Sequence, residues 1–357
     1  MTKLLKWALV CSPFIHFLFI GKPILTSQAL LSICLELAVI LLFLIGTRKR
    51  QPDIKASVLF LAYIIANSIF LIGKGLLLGK GFNAIVFPLL HISIFFLFYF
   101  ALCFILNTDD YKEIAKFIIY PSIALSIYTF FQYFKIDMFK FPGEWLDGVL
   151  GNPTNNAMYL TACLPFSFIH KRPIIPSIVI LIAILAFGSA SALIGALVII
   201  LILLIAKKEY VYLGLLITVL ILITVLFHDR VKDFLYPYEK LQAWGCAIES
   251  WKQKYIWGWG VDTFKNLKLV INHSQWYFTH NHYIWILHSL GLAGLILFAN
   301  WMRFLKFIFN PDDIRFLATL SLISVGVMAL VSVPLRIYPI VLITGINMAI
   351  LTKERRV

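Results

Sequence analysis

His280 is the side chain in this chain best placed to move a proton. It lies in Thr279-His280-Asn281-His282-Tyr283, where a polar stretch gives way to an apolar one. The positive end of a helix starting there disfavours imidazolium, and a neutral imidazole is a competent general base near pH 7. Nine residues, His282 to Leu290, separate His280-Asn281 from Gly291-Leu292-Ala293-Gly294. Two glycines three apart on one helix would let another helix pack close. Upstream, Gly258 and Gly260 punctuate Trp257-Gly258-Trp259-Gly260, a turn in which backbone can approach a neighbour or ligand. The same region, residues 228–281, carries Arg230, Lys232, Lys240, Lys252, Lys254, Lys265 and Lys268 among five tryptophans. Such cations suit a lipid-borne anion. Each feature also has an ordinary use: a histidine bonded to lipid headgroups, a tryptophan belt with snorkelling lysines, or a plain loop turn.

These residues must be positioned by an apolar scaffold. Apolar residues make up 61% of the 357, and charged residues only 13%. Mean hydropathy is +0.91. A soluble chain carries about a quarter of its residues charged, so the composition predicts an all-α polytopic membrane protein forming a single integral-membrane unit over 1–357. Apolar runs long enough to span, about 20 residues, fall at roughly 4–20, 27–46, 56–73, 84–106, 117–134, 153–170, 174–188, 190–206, 210–227, 282–302, 316–333 and 338–351. That predicts about 12 transmembrane helices, the first retained rather than cleaved as a signal peptide. Residues 174–206 are treated as two short spans. One helix of that length would rise about 50 Å, and Gly188-Ser189-Ala190-Ser191 offers a turn.

Charge orients the bundle. With both termini cytoplasmic, the inner segments collect Lys3, Lys6, Arg48, Lys49, Arg50, Lys55, Lys112, Lys116, Lys171, Arg172, Lys207, Lys208, Arg303, Lys306, Arg315, Lys353, Arg355 and Arg356. This positive-inside bias accounts for much of the +14 net charge, so no nucleic-acid partner is expected. Two outward loops remain: a small one at 135–152 and the large basic one at 228–281. In the large loop Leu241, Trp244, Ile248, Trp251 and Tyr255 recur at helical spacing, with Lys240, Gln242, Glu249 and Lys252 opposite. That pattern predicts a helix lying in the outer interface, apolar side down.

His280-Asn281, nine residues, then Gly291-x-x-Gly294 resembles the signature of the O-antigen ligase and O-antigen polymerase superfamily of bacterial lipid-linked glycan transferases. Gly258-Trp259-Gly260 with Phe264 resembles its glycine-aromatic turn. Gly151-Asn152-Pro153-Thr154-Asn155 resembles its Gly-x-Pro-Asn element, and Lys240-Leu241-Gln242-Ala243-Trp244 its Arg-Leu-x-x-Trp segment. The likeness covers about residues 145–300. It implies a metal-independent, cofactor-free, inverting glycosyltransferase at the outer face of the inner membrane. The donor would be a glycan on undecaprenyl diphosphate, and the ligase reading makes a lipid A-core sugar the acceptor. His280 would be the base. A polymerase, whose acceptor is a second carrier-linked glycan, shares this chemistry; a flippase for the carrier is the rival from another class.

Two departures concern the diphosphate clamp. The family's arginine after a serine is absent from Ser189-Ala190-Ser191-Ala192, and the arginine before Leu-x-x-Trp is Lys240. Lysine holds phosphate as a point charge. The candidates for the clamp are therefore Arg230, Lys240 and Arg336. Weaker candidates are Glu36 as an intramembrane carboxylate, and Glu144 with Asp147 as a divalent-ion pair. His16 and His91 read as ordinary buried polar residues. Asp109-Asp110 and Asp312-Asp313 fall on the cytoplasmic side.

Overall fold

A computed structural model describes residues 6–7, 52–77, 83–136, 148–169, 173–209, 238–261, 263–264, 269–271, 274–276, 279–332 and 334–352. The spans expected over 27–46 and 210–227, and all of 4–20 except Lys6 and Trp7, lie outside these residues. Within them the chain is all-helical apart from one short ribbon. In order come α1 (Lys55–Leu77), α2 (Asn83–Ile105), α3 (Thr108–Tyr133), α4 (Pro153–Cys163), α5 (Ile174–Phe187), α6 (Ala190–Ala206) and α7 (Tyr238–Lys252). Strands β1 (Leu269–Ile271) and β2 (Ser274–Trp276) follow, then α8 (His282–Met302), α9 (Arg315–Met328) and α10 (Tyr338–Leu351). The ribbon is antiparallel, with Val270 opposite Gln275, and was not expected in the large loop.

Local chemistry sets the boundaries. Asn107 caps α3 by accepting from the Asp110 amide at 2.8 Å, with Asp109 and Asp110 in the first turn. Asn152 caps α4 by accepting from the Thr154 amide at 2.8 Å, and Pro153 takes the position where no amide is needed. The expected 153–170 span is α-helical only to Cys163. A 3₁₀ turn, Leu164–Ile169, completes it, since Pro165 lacks the amide an α-helix would use. The expected break in 174–206 is present. Gly188 ends α5 in the left-handed conformation at φ 63°, its amide donating to Leu185 O. The span expected over 316–333 stops earlier, at Met328, and a turn follows.

The core forms where these helices cross: α6 on α9, α9 on α10, α8 on α1, α10 on α2, and α3 and α4 on α5. Small polar residues bridge it. Thr161 Oγ1 donates to Ala192 O at 3.1 Å, Ser321 Oγ to Ala162 O at 2.7 Å, and Tyr111 Oη to Asn347 Oδ1 at 2.9 Å. A Cβ on Gly195 would lie 3.0 Å from both Met328 and Thr161, so glycine lets α6, α4 and α9 meet.

Two poles result. At one, Glu113 pairs with Lys6 and Lys116, Arg315 with Asp313, and a cleft draws together Lys112, Phe168, Lys207 and Asp312. Because Phe168 and Lys207 share this cleft, α5 and α6 run out and back as a hairpin. Turns at the other pole hold His280 and residues 329–332. Among the described residues, α3 and α8 are long and apolar enough to cross a membrane, and apolar helical stretches of 10–17 residues lie in α1, α2, α5, α6, α9 and α10. On α5 the outward row of Ile174, Ile175, Ile178, Ile182 and Leu185 is wholly apolar, each side chain 44–69% exposed.

Candidate active site

Three successive carbonyls beyond the end of α9 organise the site. The last carbonyls of a helix have no partner inside it, and the chain supplies donors from elsewhere. His282 N–H donates to Ala329 O at 2.8 Å, Asn281 Nδ2 to Leu330 O at 2.6 Å, and Lys240 Nζ to Val331 O at 3.1 Å. Asn281 also caps α8, its Oδ1 accepting from the Tyr283 and Ile284 amides at 3.0 Å each. Thr279 is fully buried and donates its hydroxyl to Asn281 O at 2.7 Å. Between these fixed neighbours His280 adopts φ 49° and remains partly exposed. A non-glycine residue in the left-handed region is uncommon, and such strain persists only where surroundings enforce it.

Lys240 thus reaches the carbonyl next to the one that Asn281 holds. Burial pulls its ammonium below the usual lysine value. It carries three donors, one of which Val331 takes. This corrects the expected face assignment. Helix α7 docks through its small residues: Ala243, Ala247 and Ser250 are buried, and Ala243 and Ala247 pack with Phe264 against Ile284 of α8. Lys240 borders that docked face instead of the solvent side, while Leu241 of the apolar stripe is 45% exposed.

Helix α7 also packs against α8. At its start, Lys240 is level with Asn281; at its end, Ser250 Oγ meets His288 Nε2 at 3.2 Å. So α7 runs alongside the first half of α8. The turn that follows then enters α8 itself. In an unbroken helix the Leu292 and Ala293 amides would donate to His288 O and Ser289 O. At Gly291, with φ 67° and ψ −171°, the chain leaves that path. Leu292 N–H donates instead to Tyr255 O at 2.8 Å and Ala293 N–H to Ile256 O at 3.1 Å. Trp259 N–H takes His288 O at 2.9 Å, and Gly260 N–H takes Ser289 O at 2.7 Å. From α1, Tyr63 Oη donates to Leu290 O at 2.6 Å and Asn67 Nδ2 to Trp257 O at 3.0 Å. The Leu292 and Ala293 amides and the His288, Ser289 and Leu290 carbonyls thus all find partners outside α8.

Both motif glycines are needed for this interlock. A Cβ on Gly258 would lie 2.5 Å from Gly291 N and 2.6 Å from Ser289 O; one on Gly291 would fall onto the Ile256 carbonyl. Gly291 therefore admits a turn, not the second helix expected of it. Gly294 does admit one, since its Cβ would lie 3.2 Å from the Tyr63 ring on α1.

Tyr63, Asn67, Ser250 and His288 were not singled out from sequence. His288 is 1% exposed, meets Phe264 edge-on at 5.7 Å between centroids, and leaves Nδ1 without a partner among the described residues. The signal available was a second histidine inside the nine-residue spacer.

The remaining candidates separate. Asn152 opens α4, and Asn156 secures its turn by donating to Asn152 O and accepting from the Leu150 amide. Ser189 and Ser191 are buried and bonded to one another at 3.2 Å. The backbone of Arg336 ends a 3₁₀ turn, Pro334–Arg336, that packs against α4, α9 and α10, five residues beyond Val331. Arg230, His16, Glu36, Glu144 and Asp147 lie outside the described residues, as do the side chains of Arg336 and His91. Asp109, Asp312 and Asp313 gather at the opposite pole, in one cleft. Among the described residues no group of three or more His, Cys, Asp or Glu could hold a metal. Neither a protein-family model nor a curated protein matches this chain.

Proposed function

We propose that the protein is a polytopic inner-membrane glycosyltransferase of the O-antigen ligase type, with about 12 spans, both termini cytoplasmic and His280 facing the periplasm. The donor is a glycan on undecaprenyl diphosphate and the acceptor a hydroxyl of the lipid A-core. His280 accepts the acceptor's proton as its oxygen attacks the anomeric carbon from the face opposite the diphosphate. The carbon–oxygen bond to the diphosphate breaks, and the bonding pair leaves with the carrier. Configuration inverts. Lys240 opposes the charge growing on the leaving group, the task for which a fixed cation in a poorly solvated site is most effective. Arg230 and Arg336 remain the arginines proposed to complete the clamp.

The observation that carries this reading is the convergence on Ala329, Leu330 and Val331. It anchors Asn281 and His282, the two residues that follow the base candidate His280, and the cation Lys240, forty residues before that candidate, onto successive carbonyls. The interlock of Gly258 with Gly291 supports it further by joining two motif elements into one unit. The outward apolar row on α5 supports the membrane setting, since soluble surfaces seldom expose such a patch.

The test is deletion of the gene in its host and display of lipopolysaccharide on a silver-stained gel, with restoration by wild type and by His280→Ala. Loss of every O-antigen band, restored by wild type but not by His280→Ala at equal protein level, is the expected result. Retention of core plus one repeat would instead assign a polymerase. A fully active His280→Ala protein would remove the catalytic assignment.

A further inference from the structure

At the pole opposite His280 lies a cleft of about 670 Å³, within the size range of ligand sites. It opens between the first turn of α3, the end of α6, the 3₁₀ turn after α4 and the connection leading into α9. Its rim carries two cations, Lys112 and Lys207, and two carboxylates, Asp109 and Asp312. Among the described residues none of these four makes an ion pair. Asp313, on the same rim, is already committed to Arg315 through bonds of 2.6–3.1 Å. The lower wall is apolar, with Phe168, Leu203 and Phe316, and Lys207 Nζ stands 5.9 Å from the Phe168 ring centroid.

A ligand matched to this cleft has a phosphate for the lysines, a positive group for the carboxylates and an apolar portion for the wall. We propose that the cleft seats a phospholipid headgroup of the phosphoethanolamine class, bridging α3, α6 and α9. A primary ammonium offers three N–H donors to carboxylates, whereas a quaternary choline offers none. A purely anionic headgroup would bring like charge against Asp109 and Asp312. The inference rests on the membrane reading above and not on the transferase reaction.

The test uses the full chain in lipid nanodiscs made with equal parts phosphatidylethanolamine, phosphatidylcholine and phosphatidylglycerol, followed by detergent release and native mass spectrometry. Wild type should retain phosphatidylethanolamine preferentially, and Lys112→Gln/Lys207→Gln and Asp109→Asn/Asp312→Asn should each lose that preference. A charge-assisted contact is worth about tenfold in retention. As a second measurement, added phosphatidylethanolamine should raise the wild-type unfolding temperature more than that of either double variant. Equal retention of the three lipids, or a preference unchanged by Asp109→Asn/Asp312→Asn, would overturn the proposal. Displacement of the lipid by water-soluble phosphoethanolamine at equal concentration would overturn the lipid as occupant. Carbonate extraction separates the two readings: release of the chain from membranes ends both, whereas retention without headgroup preference ends only this one.

Discussion

Gly258 and Gly291 face one another so closely that a methyl group on either would lie within 2.5–2.6 Å of the other's amide nitrogen. Both have positive φ, 70° and 67°, so alanine at either position incurs the left-handed cost of about 1–2 kcal/mol before any steric overlap. Gly258→Ala and Gly291→Ala should each lower the thermal unfolding temperature sharply and abolish activity. Gly245→Ala is the control, because nothing lies within 4 Å of its added carbon, and a helix interior gains up to about 1 kcal/mol from the change. Wild-type stability in Gly258→Ala would contradict the interlock.

Lys240 titrates below an ordinary lysine because burial disfavours its charge. The unfolded chain therefore holds this proton to higher pH than the folded one, and stability rises with pH between the depressed value and about 10.5. At pH 7 the burial cost is fully present. Lys240→Met should accordingly match or exceed wild type in unfolding temperature at pH 7 while losing transfer. Activity that depends on this ammonium should also fall at a lower alkaline pH than an exposed lysine would give, and Lys240→Arg should extend the plateau. A Lys240→Met protein with full transfer would dismiss the residue from the site.

Asn281 uses its two ends differently, so two substitutions divide its roles. Asn281→Asp keeps an acceptor for the Tyr283 and Ile284 amides but sets an oxygen against Leu330 O. Asn281→Ala removes both functions, and loss of the cap alone costs about 1 kcal/mol. Asp should preserve helix capping better than Ala yet transfer poorly, since the link to the α9 terminus is gone. Equal transfer by Asp and wild type would show that the Leu330 bond does not position His280.

Among the described residues, Ser250 gives His288 its one ring bond, at Nε2. Ser250→Ala should destabilise the protein by about 1–3 kcal/mol, the cost of leaving a buried polar group unmet. Ser250→Ala combined with His288→Phe should recover part of that loss in denaturation measurements. Additive losses would argue against the pairing.

Cys246 is exposed on α7, whereas Cys103 and Cys163 are buried. In a Cys11→Ser/Cys34→Ser background, a membrane-impermeant maleimide applied from the periplasmic side should label one cysteine, and Cys246→Ser should abolish the signal. Labelling only after the membrane is opened would reverse the proposed orientation.

Features governed by local chemistry were legible in the sequence. The turn at Gly188 followed from a run too long for one helix and a cluster of small residues, and the start of α8 followed from the change from a polar to an apolar stretch just after His280. The setting of α7 was not legible. Its large apolar residues made a stripe, but the neighbouring strip of Ala243, Ala247 and Ser250 decides docking, because small side chains let helices approach. Nor could periodicity disclose the exchange of backbone bonds between 255–260 and 288–293, which pairs residues 29 to 37 apart. Early ends of α4 and α9 likewise depend on a proline and on outside partners for carbonyls, neither of which an apolar window registers.

The nine-residue spacer doubles as a depth gauge. From His282 to Leu290 the helix descends about 12 Å, and Tyr63, which meets Leu290, stands eight residues above Lys55, about 12 Å up α1. In the membrane setting proposed above, with hydrocarbon about 30 Å thick, the Tyr255–Gly260 turn would come near the mid-plane, and the exposed Tyr255, Ile256 and Trp257 would face acyl chains. Adding or deleting one spacer residue would move His280 by 1.5 Å and swing it through about 100°. Reach and bearing are thus encoded together in a single count.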